Sequence, residues 1–106
     1  MNREYWTAAE VVEIFELDGR FLQELEQEEI IFPVQEEQSP DKLFPPSELE
    51  KLRLAKLLVE DMGVNLAGVE IILRMRQTMF DMRMQFDAIL EDLSRQVHKV
   101  LNERVE

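Results

Sequence analysis

The sequence predicts a mostly α-helical protein, in which a winged helix–turn–helix head with a small wing is followed by a long C-terminal dimerisation helix. Three observations predict this class. Two short helix patterns are joined by a tight turn near the N-terminus, a brief β-favouring segment with a proline follows them, and residues 66–105 contain a heptad repeat of apolar side chains. We therefore divide the chain into an acidic winged-helix-like head, residues 1–64, and a helical coiled-coil dimerisation segment, residues 65–106.

The head is predicted to begin with two helices. Thr7–Glu10 has the pattern of a capping box, and apolar residues from Val11 onward follow at helical spacing. Asp18-Gly19 is predicted to break this helix and to lead into a second one. That second helix carries its leucines three residues apart and extends to about Glu28.

A wing and a third helix are predicted next. Ile30–Val34 is short and β-favouring, and its proline suits an edge strand. A polar turn separates it from Leu43-Phe44, which we interpret as the return strand. Ser47–Glu50 has the pattern of another capping box, and Gly63 is predicted to end the helix that it starts. Asn65 is a good N-cap for the helix that follows.

The tail is predicted to be one long helix that pairs with another helix. Apolar residues recur every seven positions from Ile72 to Val100, and Met75, Met82 and Ile89 fill the complementary position, which is typical of a coiled-coil seam. Such a stripe would be a liability if it stayed exposed on a monomer, so we expect a homodimer. A helix that folds back on its own head is the alternative, and the methionines leave parallel and antiparallel pairing open. The predicted dimer interface comprises Met75, Met79, Met82, Phe86, Ile89 and Leu93.

The charge of the chain is concentrated in the head. The net charge is −11, from 12 basic and 23 acidic residues. Residues 1–64 hold six basic against sixteen acidic residues, a net of −10, whereas residues 65–106 hold six against seven, a net of −1. A negative field repels phosphate backbones and attracts basic protein surfaces, although acidity can also serve solubility alone.

The sequence contains few residues in patterns typical of catalytic sites, so we expect neither an enzyme nor a metal or cofactor site. There is no cysteine, the single histidine, His98, lies in the helical tail, and no glycine-rich phosphate loop is present. The N-terminus MNREYWTAAE lacks the pattern of a signal peptide, and no apolar run reaches the roughly 18 residues of a membrane span. We therefore expect a cytoplasmic protein with no membrane partner.

Seven short motifs occur in a fixed order along the chain. They are Tyr5-Trp6-Thr7, Ala9-Glu10-Val11, Phe21-Leu22, Ile30-Ile31-x-Pro33, Phe44, Glu48-Leu49-x-x-Leu52 and Leu66–Val69. Their order resembles that of the MerR group of winged-helix regulators. Residues 64–73, VNLAGVEIIL, are in addition similar to a segment of the chaperone-modulator, or CbpM-like, family, where it follows a leucine-rich helix and leads into a coiled helix.

The resemblance implies an adaptor. CbpM-like modulators are dimers that bind the J-domain of a DnaJ-like co-chaperone of the CbpA type and inhibit its stimulation of DnaK. A J-domain presents a basic helix to DnaK, and residues 18–44 of this chain hold eight acidic against two basic residues, a net of −6. The residues predicted to bind the J-domain are Glu24, Glu28, Glu36 and Glu37.

Two other functions remain open at this point. The first is a MerR-type DNA-binding transcriptional regulator, although the acidic field argues against nucleic acid as a partner. The second is a structural dimer, or a small-ligand sensor that uses a cleft between head and coil. The cations available to a DNA-binding surface would be Arg20, Lys42, Lys51, Arg53 and Lys56.

Overall fold

The computed structural model describes residues 4–105, and it has the mostly α-helical architecture that the sequence predicts, with a small sheet and a long C-terminal helix. Residues 1–3 and Glu106 lie outside the described residues. Residues 1–3 are the start of the N-terminal segment that is predicted above not to be a signal peptide. The chain forms two compact units, one that ends at Ile71 and one that begins at Ile72. The elements are β1 (Trp6–Thr7), α1 (Ala8–Ile14), α2 (Gly19–Gln27), β2 (Val34–Gln35), β3 (Lys42–Phe44), α3 (Pro46–Lys56), a π-helical turn (Leu57–Asp61) and α4 (Leu66–Val105).

The starts of α1 and α2 are capped by side chains. The capping box predicted for α1 is confirmed: Thr7 Oγ1 accepts a hydrogen bond from the Glu10 N–H at 3.3 Å, and Glu10 Oε1 accepts one from the Thr7 N–H at 3.0 Å. Asp18 is the N-cap of α2, where its Oδ1 accepts from the Arg20 N–H at 3.0 Å. Gly19 is the first residue of α2, so the predicted break at Asp18-Gly19 is misplaced, because α1 already ends at Ile14.

Each of these helices is followed, two residues after its end, by a glutamate in the left-handed conformation. Glu16 has a φ of 53° and Glu29 a φ of 56°, a region in which glycine is the usual residue at a helix end. In each case the next residue is a buried apolar one, Leu17 or Ile30, whose N–H donates at 2.9 Å to a carbonyl in the last turn of the helix. This hydrogen bond and the burial that accompanies it explain why the strained glutamates are tolerated.

A three-stranded antiparallel sheet with the order β1-β3-β2 joins the N-terminus to the wing. Trp6 of β1 lies opposite Phe44, and Val34 of β2 lies opposite Leu43. The return strand is thus confirmed, whereas β1 was not predicted, since two residues are too few to show a period.

The predicted strand over Ile30–Val34 is wrong for all but its last residue. The backbone of this segment has other partners: the Ile30 N–H donates to the end of α2, and the Phe32 N–H donates to Glu48 Oε1 at 2.9 Å. Its N–H groups are therefore already bonded elsewhere, and pairing with β3 begins only at Val34.

Helix α3 begins earlier than predicted. Pro45 is the N-cap without a side-chain hydrogen bond and Pro46 is the first helical residue, so the capping box predicted at Ser47 is wrong. Proline suits this position, because the first turn of a helix leaves its N–H groups without intrahelical partners. The π-helical turn then leads to Gly63, which has a φ of 67° and ends the helix as predicted.

The core of the described residues lies wholly within the first unit. It includes Val69 from the first turns of α4, which belongs to the unit that ends at Ile71. The buried apolar side chains are Val11, Leu17, Leu22, Leu25, Ile30, Ile31, Phe44, Leu52, Ala55, Leu58 and Val69.

Among the described residues of helix α4, only Val69 belongs to the buried core. Asn65 caps it as predicted, with Oδ1 accepting from the Gly68 N–H at 2.8 Å. Its 40 residues correspond to a length of about 60 Å. Every residue from 77 to 104 is exposed, including all of the apolar ones.

Candidate partner-binding site

The four glutamates predicted to bind a partner are all exposed. Glu24 and Glu28 lie one turn apart at α2 and its C-cap, whereas Glu36 and Glu37 follow β2 in the loop to β3. Among residues 4–105, none of the four carboxylates forms a hydrogen bond or ion pair. Their charges are therefore available to a partner, and the fold does not depend on them.

The orientation of α2 explains why its glutamates point outward. Leu22 and Leu25 are buried and hold the helix to the core. At 3.6 residues per turn, Glu24 and Glu28 fall on the side away from these leucines. Glu26, which lies between them in the sequence, is half-buried and differs from them in having a partner, because Lys42 Nζ lies 3.2 Å from its Oε1.

Three of the five head cations named for a DNA-binding surface are already engaged. Lys42 pairs with Glu26, and Lys51 Nζ lies 3.0 Å from an oxygen of the buried Glu48. Lys56 donates to the carbonyl of Phe15, at the C-terminal end of α1. A cation at this end of a helix is favoured by the helix dipole, so Lys56 has a structural role.

The remaining two cations, Arg20 and Arg53, are exposed. Neither forms an ion pair within the part of the chain that the structure describes. Arg20 lies in the first turn of α2 and Arg53 in the last turns of α3, on different elements of the head. The head has a net charge of −10, and two arginines on different elements would bind DNA phosphates only weakly.

A shallow cleft of about 480 Å³ lies between α1 and α2. Gly19 forms part of it, and a Cβ added at this glycine would have no heavy atom within 4 Å. Only two polar side chains line the cleft, and Glu26 is paired to Lys42. The cleft offers few groups to fix a small ligand. Its lining is Ala8, Ala9, Val12, Gly19, Leu22, Gln23 and Glu26.

The six residues of the predicted dimer interface lie along one face of α4 and are all exposed, from 53% for Leu93 to 69% for Met79. The structure adds two large apolar residues that the heptad analysis missed. Phe80 and Met84 are 60% and 63% exposed, and helical periodicity places them on the far side of α4 from the seam. A groove of about 640 Å³ runs between the two sides and is lined by Ile72, Met75, Arg76, Met79, Phe80, Arg83, Met84 and Asp87.

Residues 4–105 contain neither a metal-binding cluster nor a membrane-spanning helix. No group of three or more His, Cys, Asp or Glu side chains in this range is arranged to hold a metal ion. His98 is exposed on α4. No helix within the same range is long and apolar enough to cross a membrane.

The helix–turn–helix, the small sheet and the long C-terminal helix define a protein with a winged-helix head and a long helix after it. Comparison with known families agrees: residues 6–92 match the family described as MerR HTH family regulatory protein. The match covers most of the chain, so the protein belongs to the MerR HTH regulatory family. A comparison with curated proteins found no match.

Proposed function

We propose that this MerR-family protein is a cytoplasmic chaperone modulator that binds the J-domain of a DnaJ-like co-chaperone of the CbpA type and inhibits its stimulation of DnaK. The observation that carries the proposal is which charged side chains of the head have partners within the protein. Four exposed glutamates have no partner among the described residues, whereas three of the five head cations named above are held by internal contacts. The pairing leaves the net charge of the head unchanged, and it leaves these four carboxylates available to a basic partner.

An acidic surface of this kind suits a basic helix. Complementary charges raise the rate of encounter and fix the register of two proteins, whereas they contribute less to final affinity when they lie at the rim. A modulator that covers the basic helix of a J-domain would deny it to DnaK. The winged-helix frame would then be retained with its partner changed, since a fold does not determine a function.

We further propose that the protein acts as a homodimer through α4. The apolar heptad positions are exposed along the helix, and a second copy of the same seam would cover them. Two heads per dimer would present two acidic surfaces. The proposed interface is that of Met75, Met79, Met82, Phe86, Ile89 and Leu93.

Titration calorimetry against an isolated J-domain, at two ionic strengths, tests the adaptor proposal. We expect the wild type to bind and the affinity to fall as salt is added. The double variant Glu24→Lys/Glu28→Lys should bind several-fold more weakly and show a flatter salt dependence. Its matched control is Glu60→Lys/Glu91→Lys, which changes the net charge equally, from −11 to −7, at exposed positions elsewhere.

The possible results distinguish an error in the proposed interface residues from an error in the proposed partner. Equal weakening by both double variants would show that net charge alone matters. Unchanged affinity in a folded Glu24→Lys/Glu28→Lys variant would move the interface elsewhere, with the α4 surface around Arg83 and Asp87 as the next candidate. A wild type that does not bind the J-domain contradicts the adaptor proposal itself.

Family membership favours one second candidate, a DNA-binding transcriptional regulator. It would have to rely on Arg20 and Arg53, the two head cations without an ion pair in the described residues. A gel shift with duplex DNA at about 50 mM salt is the most permissive test, because non-specific binding is strongest at low salt. We expect no shift at micromolar protein. A shift that disappears in Arg20→Ala/Arg53→Ala would favour the DNA-binding regulator.

A further inference from the structure

Every methionine that the structure describes is exposed, although methionine is usually a buried residue. The exposed fractions are 65% for Met62, 59% for Met75, 69% for Met79, 62% for Met82 and 63% for Met84. The chain contains no cysteine. The thioethers are therefore its principal targets for a two-electron oxidant.

The exposed methionines fall into two groups. Met75, Met79 and Met82 occupy successive positions of the heptad seam, so that the N-terminal part of the proposed interface consists largely of thioethers. The C-terminal part contains Phe86, Ile89 and Leu93, which do not react readily with peroxide. Met84 lies outside the seam, two residues after Met82, and Met62 lies in the head. These two provide internal controls.

We propose that Met75, Met79 and Met82 form a peroxide-sensitive modification site that controls the dimer, an inference that rests on the homodimer proposed above. A thioether sulfur attacks one oxygen of hydrogen peroxide, the S–O bond forms as the O–O bond breaks, and the products are a sulfoxide and water. The sulfur loses two electrons, which reduce the peroxide. A sulfoxide is a polar group without a hydrogen-bond partner in an apolar seam, so it favours the separated chains.

Dimerisation should slow the oxidation of the same three residues. The proposed dimer buries their sulfur atoms in the seam and so limits the access of peroxide to them. Peroxide reaches them in the monomer, where they are as exposed as the single chain shows. The oxidation rates of Met75, Met79 and Met82 should therefore fall as protein concentration rises, whereas the rates at Met62 and Met84 should not change.

The test uses the full-length chain and hydrogen peroxide. Site-resolved mass spectrometry measures the oxidation rate of each methionine below and above the dissociation constant of the dimer, and analytical ultracentrifugation measures that constant before and after oxidation. We expect three sulfoxides per chain to raise the dissociation constant by about 100-fold or more, and methionine sulfoxide reductases to restore it.

Two variants assign the effect to the seam. Met75→Leu/Met79→Leu/Met82→Leu keeps side-chain volume and should dimerise normally after peroxide treatment. Met62→Leu/Met84→Leu should respond as the wild type does. A wild type that carries all three sulfoxides and keeps its dissociation constant overturns the inference while leaving the dimer intact. A wild type that is monomeric before oxidation contradicts the dimer itself, and the inference with it.

Discussion

The head and the tail of this protein use apolar residues in opposite ways. All eleven buried apolar side chains of the described residues lie in the unit that ends at Ile71. Within the same described range, no buried side-chain nitrogen or oxygen lacks a hydrogen-bond partner. From residue 77 to residue 104, by contrast, not one residue is buried. The head completes its own core, whereas the tail presents an apolar surface.

The charge of the chain is also divided between head and tail, and the excess lies in the head. The acidic excess is carried by residues 1–64, and residues 65–106 are almost neutral. An acidic head repels a second acidic head, whereas a nearly neutral apolar helix can pair with its copy at little electrostatic cost. The two regions therefore suit two different contacts, a basic partner at the head and a second copy at the tail.

The largest expected effect tests the tail. Phe86→Asp places a charge near the centre of the seam in each chain, and burying two unpaired carboxylates should cost the dimer several kcal/mol. Light scattering at tens of micromolar should give a dimer mass for the wild type and a monomer mass for the variant. The head should keep its fold, since Phe86 is 60% exposed in the single chain.

A matched control fixes the interpretation. Ala88→Asp adds the same charge two residues further along α4, outside the heptad seam, and should leave the dimer mass unchanged. A wild type that scatters as a monomer, or an Ala88→Asp variant that dissociates as readily as Phe86→Asp, contradicts the proposed seam.

The second effect tests the head. Glu48 is the one buried charged residue among those described, and it joins α3 to the segment before β2. Its carboxylate accepts from the Phe32 N–H and, within α3, from Lys51 Nζ, and Lys51 Nζ lies 5.4 Å from the centre of the Phe32 ring. Glu48→Ala leaves the part-buried Phe32 N–H without its acceptor and removes the partner of Lys51, so the free energy of unfolding should fall by about 2 kcal/mol. Urea unfolding followed by the fluorescence of Trp6, the single tryptophan, measures it.

The exposed Glu37 provides the control for Glu48. Glu37→Ala removes an equal charge and should change the free energy of unfolding by less than about 0.5 kcal/mol. Glu48→Gln keeps an acceptor for the Phe32 N–H and should lie between the two. A Glu48→Ala variant as stable as the wild type would show that this contact does not hold the head together.

The sequence predicted those parts of the fold that depend on near neighbours. The capping box of α1, the Asn65 cap of α4 and the outward positions of Glu24 and Glu28 all arise from residues within about one turn of each other. The two left-handed glutamates were missed because glycine, the usual signal for this conformation, is absent there.

Contacts between distant residues account for the other errors. Glu48 and Lys42 each bond a residue 16 positions away, and Lys56 reaches one 41 positions away. No pattern in the sequence shows such pairings, so the lysines remained candidates for a DNA-binding surface until the structure assigned them partners. The predicted strand over Ile30–Val34 failed for the same reason, because its backbone is bonded to α2 and to Glu48.

A smaller effect is expected at the helix caps. The structure contains the predicted cap at Thr7 but not the one predicted at Ser47. Thr7→Ala removes the side-chain acceptor at the start of α1 and should lower the free energy of unfolding by about 1 kcal/mol. Ser47→Ala alters the other capping-box pattern, but Ser47 lies inside α3 and makes no cap. It should change stability by less than about 0.5 kcal/mol in the same urea titration. Equal losses in both variants would contradict the N-cap assignment at Pro45.

The smallest effect is a gain in stability at the end of α2. Glu29 has a φ of 56°, which costs a residue with a Cβ about 1 kcal/mol or more. Glu29→Gly removes that cost but adds the backbone entropy of glycine, about 0.5–1 kcal/mol. Loss of a negative charge from the C-terminal end of α2 adds a few tenths of a kcal/mol to the gain. We expect Glu29→Gly to raise the free energy of unfolding by about 0.5 kcal/mol. Glu29→Ala loses the same charge but keeps the Cβ, so it isolates the charge effect and should be less stable than Glu29→Gly. Urea midpoints that rank alanine above glycine would show that the left-handed backbone is not strained, and the end of α2 would then owe its geometry to the burial of Ile30 alone.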